Sequence, residues 1–126
     1  MAGTLVANTI NTDTGLFSTN NAYSGIAKAW VNFQGAASPT IRASFNVSSI
    51  TRNGAGDYTL NFTTAMPNVN YTISGAASLT GSAGDTAFWV CAPQGTISTT
   101  QVRINTVYTY QNLNDCAYTS VQIFGA

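Results

Sequence analysis

Apolar and polar residues alternate with a period of two along most of the chain, and this alternation is the feature that most limits its fold. In residues 57–63, for example, Tyr58, Leu60 and Phe62 alternate with polar residues, which places them on one face of a strand. No segment keeps the helical spacing of apolar residues for more than about two turns. The pattern therefore predicts an all-β protein.

Turn-forming residues separate the alternating segments into about nine or ten strands. We expect strands at residues 5–10, 26–33, 41–47, 49–51, 57–63, 70–74, 86–92, 95–98, 101–110 and 117–124. The Asn53-Gly54 pair predicts a hairpin between Ile50 and Leu60. The stretch of small residues at 75–84 is interpreted as a connection, too short to separate two domains. This spacing predicts an antiparallel β-sandwich, either jelly-roll-like or barrel-like.

Two strands carry the most specific predictions about the core. In residues 26–33 one face is apolar, with Ala27, Ala29, Val31 and Phe33. The opposite face carries Trp30, which we interpret either as a core anchor or as part of a subunit contact. In residues 41–47 the alternation predicts an inward-facing row made of Ile41, Ala43, Phe45 and Val47.

Charged residues make up only 6% of the chain, and the formal net charge is zero. Ser, Thr, Asn and Gln instead supply 48 of the 126 residues. A chain with so few cations offers no phosphate-binding groove and no attraction to anionic lipid, so we expect neither nucleic-acid binding nor membrane insertion. It also lacks the charges that usually guard sheet edges, which favours a homo-oligomer whose subunits cover one another. A monomer with a neutral surface is the alternative.

The residue inventory argues against catalysis. The sequence contains no His and no Glu, and its only lysine is Lys28. The four aspartates lie beside turn-forming residues, where an Asx-turn role is favoured over calcium binding. They are Asp13, Asp57, Asp85 and Asp115. We therefore predict a protein that is not an enzyme and that uses no cofactor or metal.

Cys91 and Cys116 are the only cysteines. No segment has the run of about 18 apolar residues that a membrane helix needs. The first five residues have neither the basic nor the apolar region of a secretory signal, so we expect assembly in a cytosol. In that reducing compartment two thiols are favoured over one disulfide bond, which remains the alternative.

Aromatic residues beside Asn and Gln suggest a second kind of function. Trp89, Tyr108 and Tyr110 are the candidate ligand-facing aromatics, because such rings stack on sugars while amides bind hydroxyl groups. On an alternating strand, however, a Trp or Tyr is more often part of a core or an interface.

Three segments resemble a module of tailed-bacteriophage virion proteins, especially the fibre-like proteins of marine phages and cyanophages. They are AKAWVNFQG at residues 27–35, IRASFNVSSI at 41–50 and NGAGDYTLNFTTAMPN at 53–68. The opening TLVANTINTDTG, residues 4–15, is similar to the start of such chains. The resemblance covers residues 4–75, while the remainder matches only in its β character. It implies a homotrimer without catalysis and transfers no catalytic residue.

Together these observations predict a small trimeric protein on the virion surface, assembled in the host cytoplasm. We expect residues 1–22 to form an attachment arm and residues 23–126 a single β domain. Leu5, Val6, Ile10 and Trp30 are the candidate attachment and interface residues. The expected partners are other copies of the chain and the phage coat or tail proteins. One small domain favours a capsid decoration or knob over the alternative, a tail fibre that binds host surface glycans.

Overall fold

The computed structural model describes residues 3–4, 6–7, 9–12, 15–18, 25–93, 96–109 and 112–125. Within these ranges the chain forms ten strands, in agreement with the predicted number and the all-β class. The strands are β1 (Thr9–Thr12), β2 (Gly15–Ser18), β3 (Ala27–Gln34), β4 (Thr40–Phe45), β5 (Val47–Gly54), β6 (Asp57–Phe62), β7 (Tyr71–Ser78), β8 (Ala87–Cys91), β9 (Gln101–Val107) and β10 (Tyr118–Gly125). No helix in the described ranges is long and apolar enough to cross a membrane.

Eight strands form one antiparallel sheet in the order β4-β3-β10-β7-β8-β9-β6-β5. The sheet curls into a nearly closed barrel, which is the barrel-like form among the predicted arrangements. Its first and last strands, β4 and β5, are consecutive in the chain and are joined through Asn46 alone. β1 and β2 pair only with each other, as a separate hairpin.

The barrel interior is filled mainly from β3, β6, β9 and β10. Val31 and Phe33 of β3 and Tyr58 and Leu60 of β6 are fully buried, as the alternation predicted. The ring of Phe33 meets the ring of Tyr58 edge to face, with centroids 5.1 Å apart. The predicted hairpin is also present, since Ile50 of β5 pairs with Leu60 of β6.

The predicted orientation of residues 41–47 is wrong for two of its four residues. Ile41 is half-buried and Val47 is buried, but Ala43 and Phe45 are exposed. Ile41 pairs with Phe33 whereas Ala43 pairs with Asn32, so β4 has one extra residue, Arg42, relative to β3. This β-bulge shifts the alternation and turns Ala43 and Phe45 to the outer face.

Two further predictions are corrected by the pairing of the strands. The stretch from Gly75 was expected to be a connection, but β7 continues to Ser78 and pairs with β10 along its whole length. Gly75 is needed there because a Cβ atom would lie 2.5 Å from the backbone carbonyl oxygen of Ser120 on β10, and 3.1 Å from the side chain of Val90 on β8. The expected strand at 95–98 is reduced to one bridge, between Ile97 and Val102, with residue 95 outside the described residues.

Candidate functional site

The strongest polar cluster surrounds Asp115, in the loop before β10. Its carboxylate accepts hydrogen bonds from Arg52 Nη2 at 2.8 Å, from the Tyr58 hydroxyl at 2.5 Å and from the Gly56 backbone N–H at 2.9 Å. Arg52 Nε also lies 3.1 Å from both carboxylate oxygens. The cluster therefore ties the loop before β10 to the β5–β6 hairpin.

The electrostatics of this cluster favour an ionised carboxylate. Burial alone would raise the pKa of Asp115, but the hydrogen bonds from Arg52, Gly56 and Tyr58 outweigh burial and hold its pKa at about 2. Burial, together with the hydrogen bond to this carboxylate, raises the pKa of Tyr58. The proton therefore stays on the phenol.

The packing around Tyr58 is close, although the Arg52 and Asp115 side chains are each about a quarter exposed. The side chain of Tyr58 is completely buried. A Cβ atom at Gly35 would collide with its hydroxyl, and a Cβ atom at Gly56 would collide with the backbone of Asn114. Gly56 also has a φ of 65°, which favours glycine. These close contacts give the cluster a structural role: it locks one end of the barrel.

The other two described aspartates are also engaged within the chain. Asp85 accepts hydrogen bonds from Ser78 Oγ at 2.6 Å and from the backbone N–H groups of Thr80, Gly81 and Thr86. Because of the Ser78 hydroxyl and these N–H donors, the pKa of Asp85 lies well below its ordinary value. Asp57 pairs with Arg103, whose Nε lies 2.7 Å from Oδ1, and this hydrogen bond lowers the pKa of Asp57.

No group of three or more potential metal ligands occurs in the described part of the chain. The two cysteines are free thiols, Cys91 exposed and Cys116 buried. Burial raises the pKa of the Cys116 thiol.

The candidate ligand-facing aromatics do not form one platform. Trp89 of β8 is 76% exposed and stands between Ala76 of β7 and Val107 of β9. Tyr108 is half-exposed, but its ring packs against buried Phe88 with centroids 5.7 Å apart. Because Phe88 and Trp89 are consecutive strand residues, they point to opposite faces of the sheet. Trp89 and Tyr108 are therefore separated, and Tyr110 lies outside the described residues.

Trp30 is not a residue of the buried core. It is 37% exposed on the outer face of β3 and lies directly opposite Phe45 of β4, which is 54% exposed. Sequence analysis missed this aromatic pair because it assigned Phe45 to the interior. Only the bulge at Arg42, which alternation does not reveal, turns Phe45 outward.

A shallow pocket of about 400 Å³ lies beside this pair and is lined by Phe45, Asn46, Thr63 and Thr64. Asn46 has a φ of 56° and forms the corner between β4 and β5. Its Nδ2 donates to the carbonyls of Lys28 and Thr64, each at 3.1 Å, and its Oδ1 accepts from Thr64 N–H at 2.7 Å. The Asn46 amide is thus used internally, and the aromatic face of Phe45 and the threonine hydroxyls remain to contact a ligand.

The outer face of β5 and β6 is covered by neutral side chains bound to one another. Asn61 Nδ2 donates to Ser49 Oγ at 3.0 Å and to Thr51 Oγ1 at 3.3 Å, and Asn53 Nδ2 donates to Thr59 Oγ1 at 3.0 Å. Asn53 Nδ2 also donates to Asp57 Oδ1 at 3.2 Å, and Asp57 is paired with Arg103, so this mostly neutral surface includes one internal ion pair.

The candidate attachment residues are only partly described. Val6 is 90% exposed, and Leu5 lies outside the described residues. Ile10 belongs to β1, where it pairs with Phe17 of β2.

The exposed position of Trp89 agrees with its selection from the sequence, whereas the Asp115 cluster could not be selected in that way. Arg52 and Asp115 are 63 residues apart in the chain, and Tyr58 and Asp115 are 57 apart. No local motif joins residues at that separation. Comparison of the chain with protein-family models, curated proteins and solved structures finds no match.

Proposed function

We propose that the chain is a non-enzymatic structural protein of a phage virion, which associates with itself and sits on the particle surface as a small trimeric decoration or knob. The observation that carries this proposal is the placement of the charges. The three arginines and the three described aspartates bind groups within the molecule, while the rings of Trp89, Trp30 and Phe45 are exposed on the outer surface.

A surface with exposed rings, whose arginines and described aspartates are engaged within the chain, is suited to contacts between proteins. Interface cores are depleted in charged residues and enriched in aromatic ones. The reason is that burying an unpaired charge weakens binding, whereas burying an aromatic ring strengthens it. Trp89, Trp30 and Phe45 would act as anchors, and the Thr, Ser and Asn groups around them would form the polar rim.

Assembly in several copies would multiply weak contacts. A trimer bound at several points to a lattice of coat subunits gains avidity through effective concentration, even where each contact is weak. The resemblance of residues 4–75 to phage virion proteins supports both the particle and the trimer. The hydrogen bonds that Asp115 accepts from Arg52, Gly56 and Tyr58 support a structural role for this cluster.

Two measurements test this proposal. Light scattering of the purified chain should give three times the 13.2 kDa mass of one copy. Antibody labelling of purified virions should place the protein on heads at high copy number. A stable monomer that binds no particle would overturn the proposal, and labelling confined to tails would favour the alternative below.

The alternative is a tail-fibre protein that binds host surface glycans, and the exposure of Trp89 favours it. A ring that is 76% exposed between small neighbours is accessible to the flat face of a sugar. The test is a glycan array with the natural chain and with Trp89→Ala. Binding that disappears in Trp89→Ala supports this alternative. Tyr108→Ala is the control and should keep binding, because the Tyr108 ring packs against Phe88.

A further inference from the structure

Two exposed rings stand on either side of β7 on the outer face of the barrel. Tyr118 of β10 is 42% exposed and Trp89 of β8 is 76% exposed. Each is next to a buried residue of its own strand, so both rings belong to the outer face. Between them β7 presents two small residues, Ala76, which pairs with Trp89, and Ser78, which pairs with Tyr118. We call this arrangement the outer trough, with Tyr118 and Trp89 as its walls and Ala76 and Ser78 as its floor.

The strand spacing sets the width of the outer trough. β10 and β8 both pair with β7, so they lie about 10 Å apart. Tyr118 and Trp89 are also offset by two residues along the strands, which places their Cα atoms about 12 Å apart. Two rings at this separation, above a floor of small side chains, can contact successive units of an extended ligand.

A guanidinium lies against one wall of the trough. Arg42 sits over the Tyr118 ring, with Cζ 5.6 Å from the ring centroid. It donates to the Ala117 carbonyl at 2.7 Å and, at 3.4 Å, to Asn32 Oδ1 and to the Phe33 carbonyl. These three bonds hold the side chain in place. A guanidinium has five N–H groups, so at least two remain for a ligand.

Arg42 differs from the other two arginines in its partners. Arg52 forms an ion pair with Asp115, and Arg103 forms one with Asp57. Within the described residues, the acceptors of exposed Arg42 are one side-chain amide and two backbone carbonyls, all of them neutral. A guanidinium binds a carboxylate more strongly than a neutral acceptor, often through two hydrogen bonds at once. The charge at this wall therefore favours a ligand that carries a carboxylate.

Asp85 limits where that carboxylate can lie. Its Oδ2 accepts a hydrogen bond from Ser78 Oγ at 2.6 Å, so a negative charge stands beside the floor of the trough. In the sheet order, Tyr118 on β10 separates Ser78 on β7 from Arg42 on β4. A ligand carboxylate is repelled on the Ser78 side and attracted on the Arg42 side. The acidic end of the ligand therefore lies toward β4, and its neutral end crosses β7 toward Trp89.

We propose that the outer trough binds an oligosaccharide containing a carboxylated sugar, of the uronic or sialic acid class, whose carboxylate pairs with Arg42 while its sugar rings stack on Tyr118 and Trp89. Aromatic walls suit the apolar faces of sugar rings. The Asn32 amide and the Ser120 hydroxyl, which pair across β3 and β10 on the same face, suit sugar hydroxyl groups. This inference rests on the glycan-binding alternative above and specifies the charge and the direction of the glycan.

An array of paired probes tests the inference on the full chain. Each oligosaccharide that contains glucuronic, galacturonic or sialic acid is printed beside the same oligosaccharide with its carboxyl group reduced to an alcohol. We expect the natural chain to bind at least one acidic probe about tenfold more tightly than the reduced probe. Arg42→Gln should remove this preference, whereas Trp89→Ala should weaken binding of both probes.

A second pair of variants leaves the contacts of Arg42 in place. Ala76 is exposed, so Ala76→Asp and its neutral match Ala76→Asn change the floor of the trough but not the core. Ala76→Asp should weaken binding of the acidic probe at least about tenfold more than Ala76→Asn does, because only Asp repels the ligand carboxylate. Thermal unfolding checks that both variants are folded.

The possible failures are distinguishable. Equal binding of acidic and reduced probes, lost in Trp89→Ala, overturns the inference and leaves the glycan-binding alternative standing. A preference for the acidic probe that is the same in Ala76→Asp and Ala76→Asn also overturns it. Binding of poly-glutamate without binding of any oligosaccharide overturns both the inference and that alternative, as does an array without any signal.

Discussion

The two ends of β3 and β6 use polar groups in opposite ways. At one end, the Asp115 carboxylate gathers donors from Arg52, Gly56 and Tyr58 and closes the barrel. At the other end, β4 and β5 diverge at Asn46, beside the exposed Trp30–Phe45 pair and the shallow pocket. The comparison shows that an ion pair with further hydrogen bonds closes one end, whereas aromatic rings and threonines are presented at the other.

Removing the Asp115 carboxylate should have the largest effect. Asp115→Ala leaves Arg52 and the Tyr58 hydroxyl without their acceptor, and we expect a loss of about 3 kcal/mol in the free energy of unfolding. Urea denaturation measures it. Asp57→Ala is the comparison variant: its partner Arg103 is more exposed than Arg52, although Asp57 itself is less exposed than Asp115, and it should cost about 1 to 2 kcal/mol. Equal costs would contradict the assigned role of the Asp115 cluster.

A second pair of variants separates backbone strain from close packing at the same end. Gly56 and Gly81 both have positive φ, 65° and 77°, but only Gly56 faces a neighbouring backbone, that of Asn114. Gly81→Ala should therefore cost about 1 kcal/mol, whereas Gly56→Ala should cost more than about 2 kcal/mol. Thermal unfolding of the two variants checks the difference. Equal melting temperatures would show that the loop near Asn114 can move aside.

The sequence predicted the parts of this fold that follow local alternation. β3 and β6 were oriented correctly because each buries every second residue without interruption. Phe45 was misplaced because one bulged residue, Arg42, reverses the alternation, and a bulge depends on pairing with β3. The predicted β7 was too short because Gly75 and the alanines after it resemble a connection, although Gly75 is required by the close approach of the Ser120 carbonyl on β10.

The candidate sites also differ in whether the local sequence predicts them. Exposed Trp89 could be selected from its residue type and its neutral neighbours. The Asp115 cluster and the Trp30–Phe45 pair depend on contacts across the barrel, between residues that no short motif connects.

Acid should weaken the closed end more than the open corner. The folded pKa of Asp115, about 2, lies below its ordinary value, so its contribution is complete above about pH 4 and is lost as the pH falls toward 2. Asp57 and Asp85 also stabilise the fold less as the pH falls, because their pKa values are lowered too. The Asp115→Asn variant isolates the contribution of Asp115. Its free energy of unfolding should lie below that of the natural chain at pH 5, and this difference should shrink by about 1 to 2 kcal/mol by pH 2. A constant difference would contradict the assigned pKa.

The smallest effect on stability is expected at the Asn46 corner. Phe45→Ser removes an exposed ring that is not part of the buried core, so unfolding should change by less than about 0.5 kcal/mol. If this corner is where copies meet, the same substitution should weaken self-association by at least about tenfold in light scattering or sedimentation. Tyr108→Ser is the control, because Tyr108 is also a half-exposed aromatic but follows β9 at the Asp115 end, where Asn105 pairs with Asp57.

The two readouts together decide whether the ends of the barrel have separate tasks. Loss of association in Phe45→Ser alone, with the barrel intact, would assign assembly to the corner and stability to the Asp115 end. Equal weakening by Phe45→Ser and Tyr108→Ser would spread the contact over the neutral surface, and no weakening by either would remove the corner from the interface. Because Asp115→Ala is expected to lower stability and Phe45→Ser to lower only association, the pair tests the division from both sides.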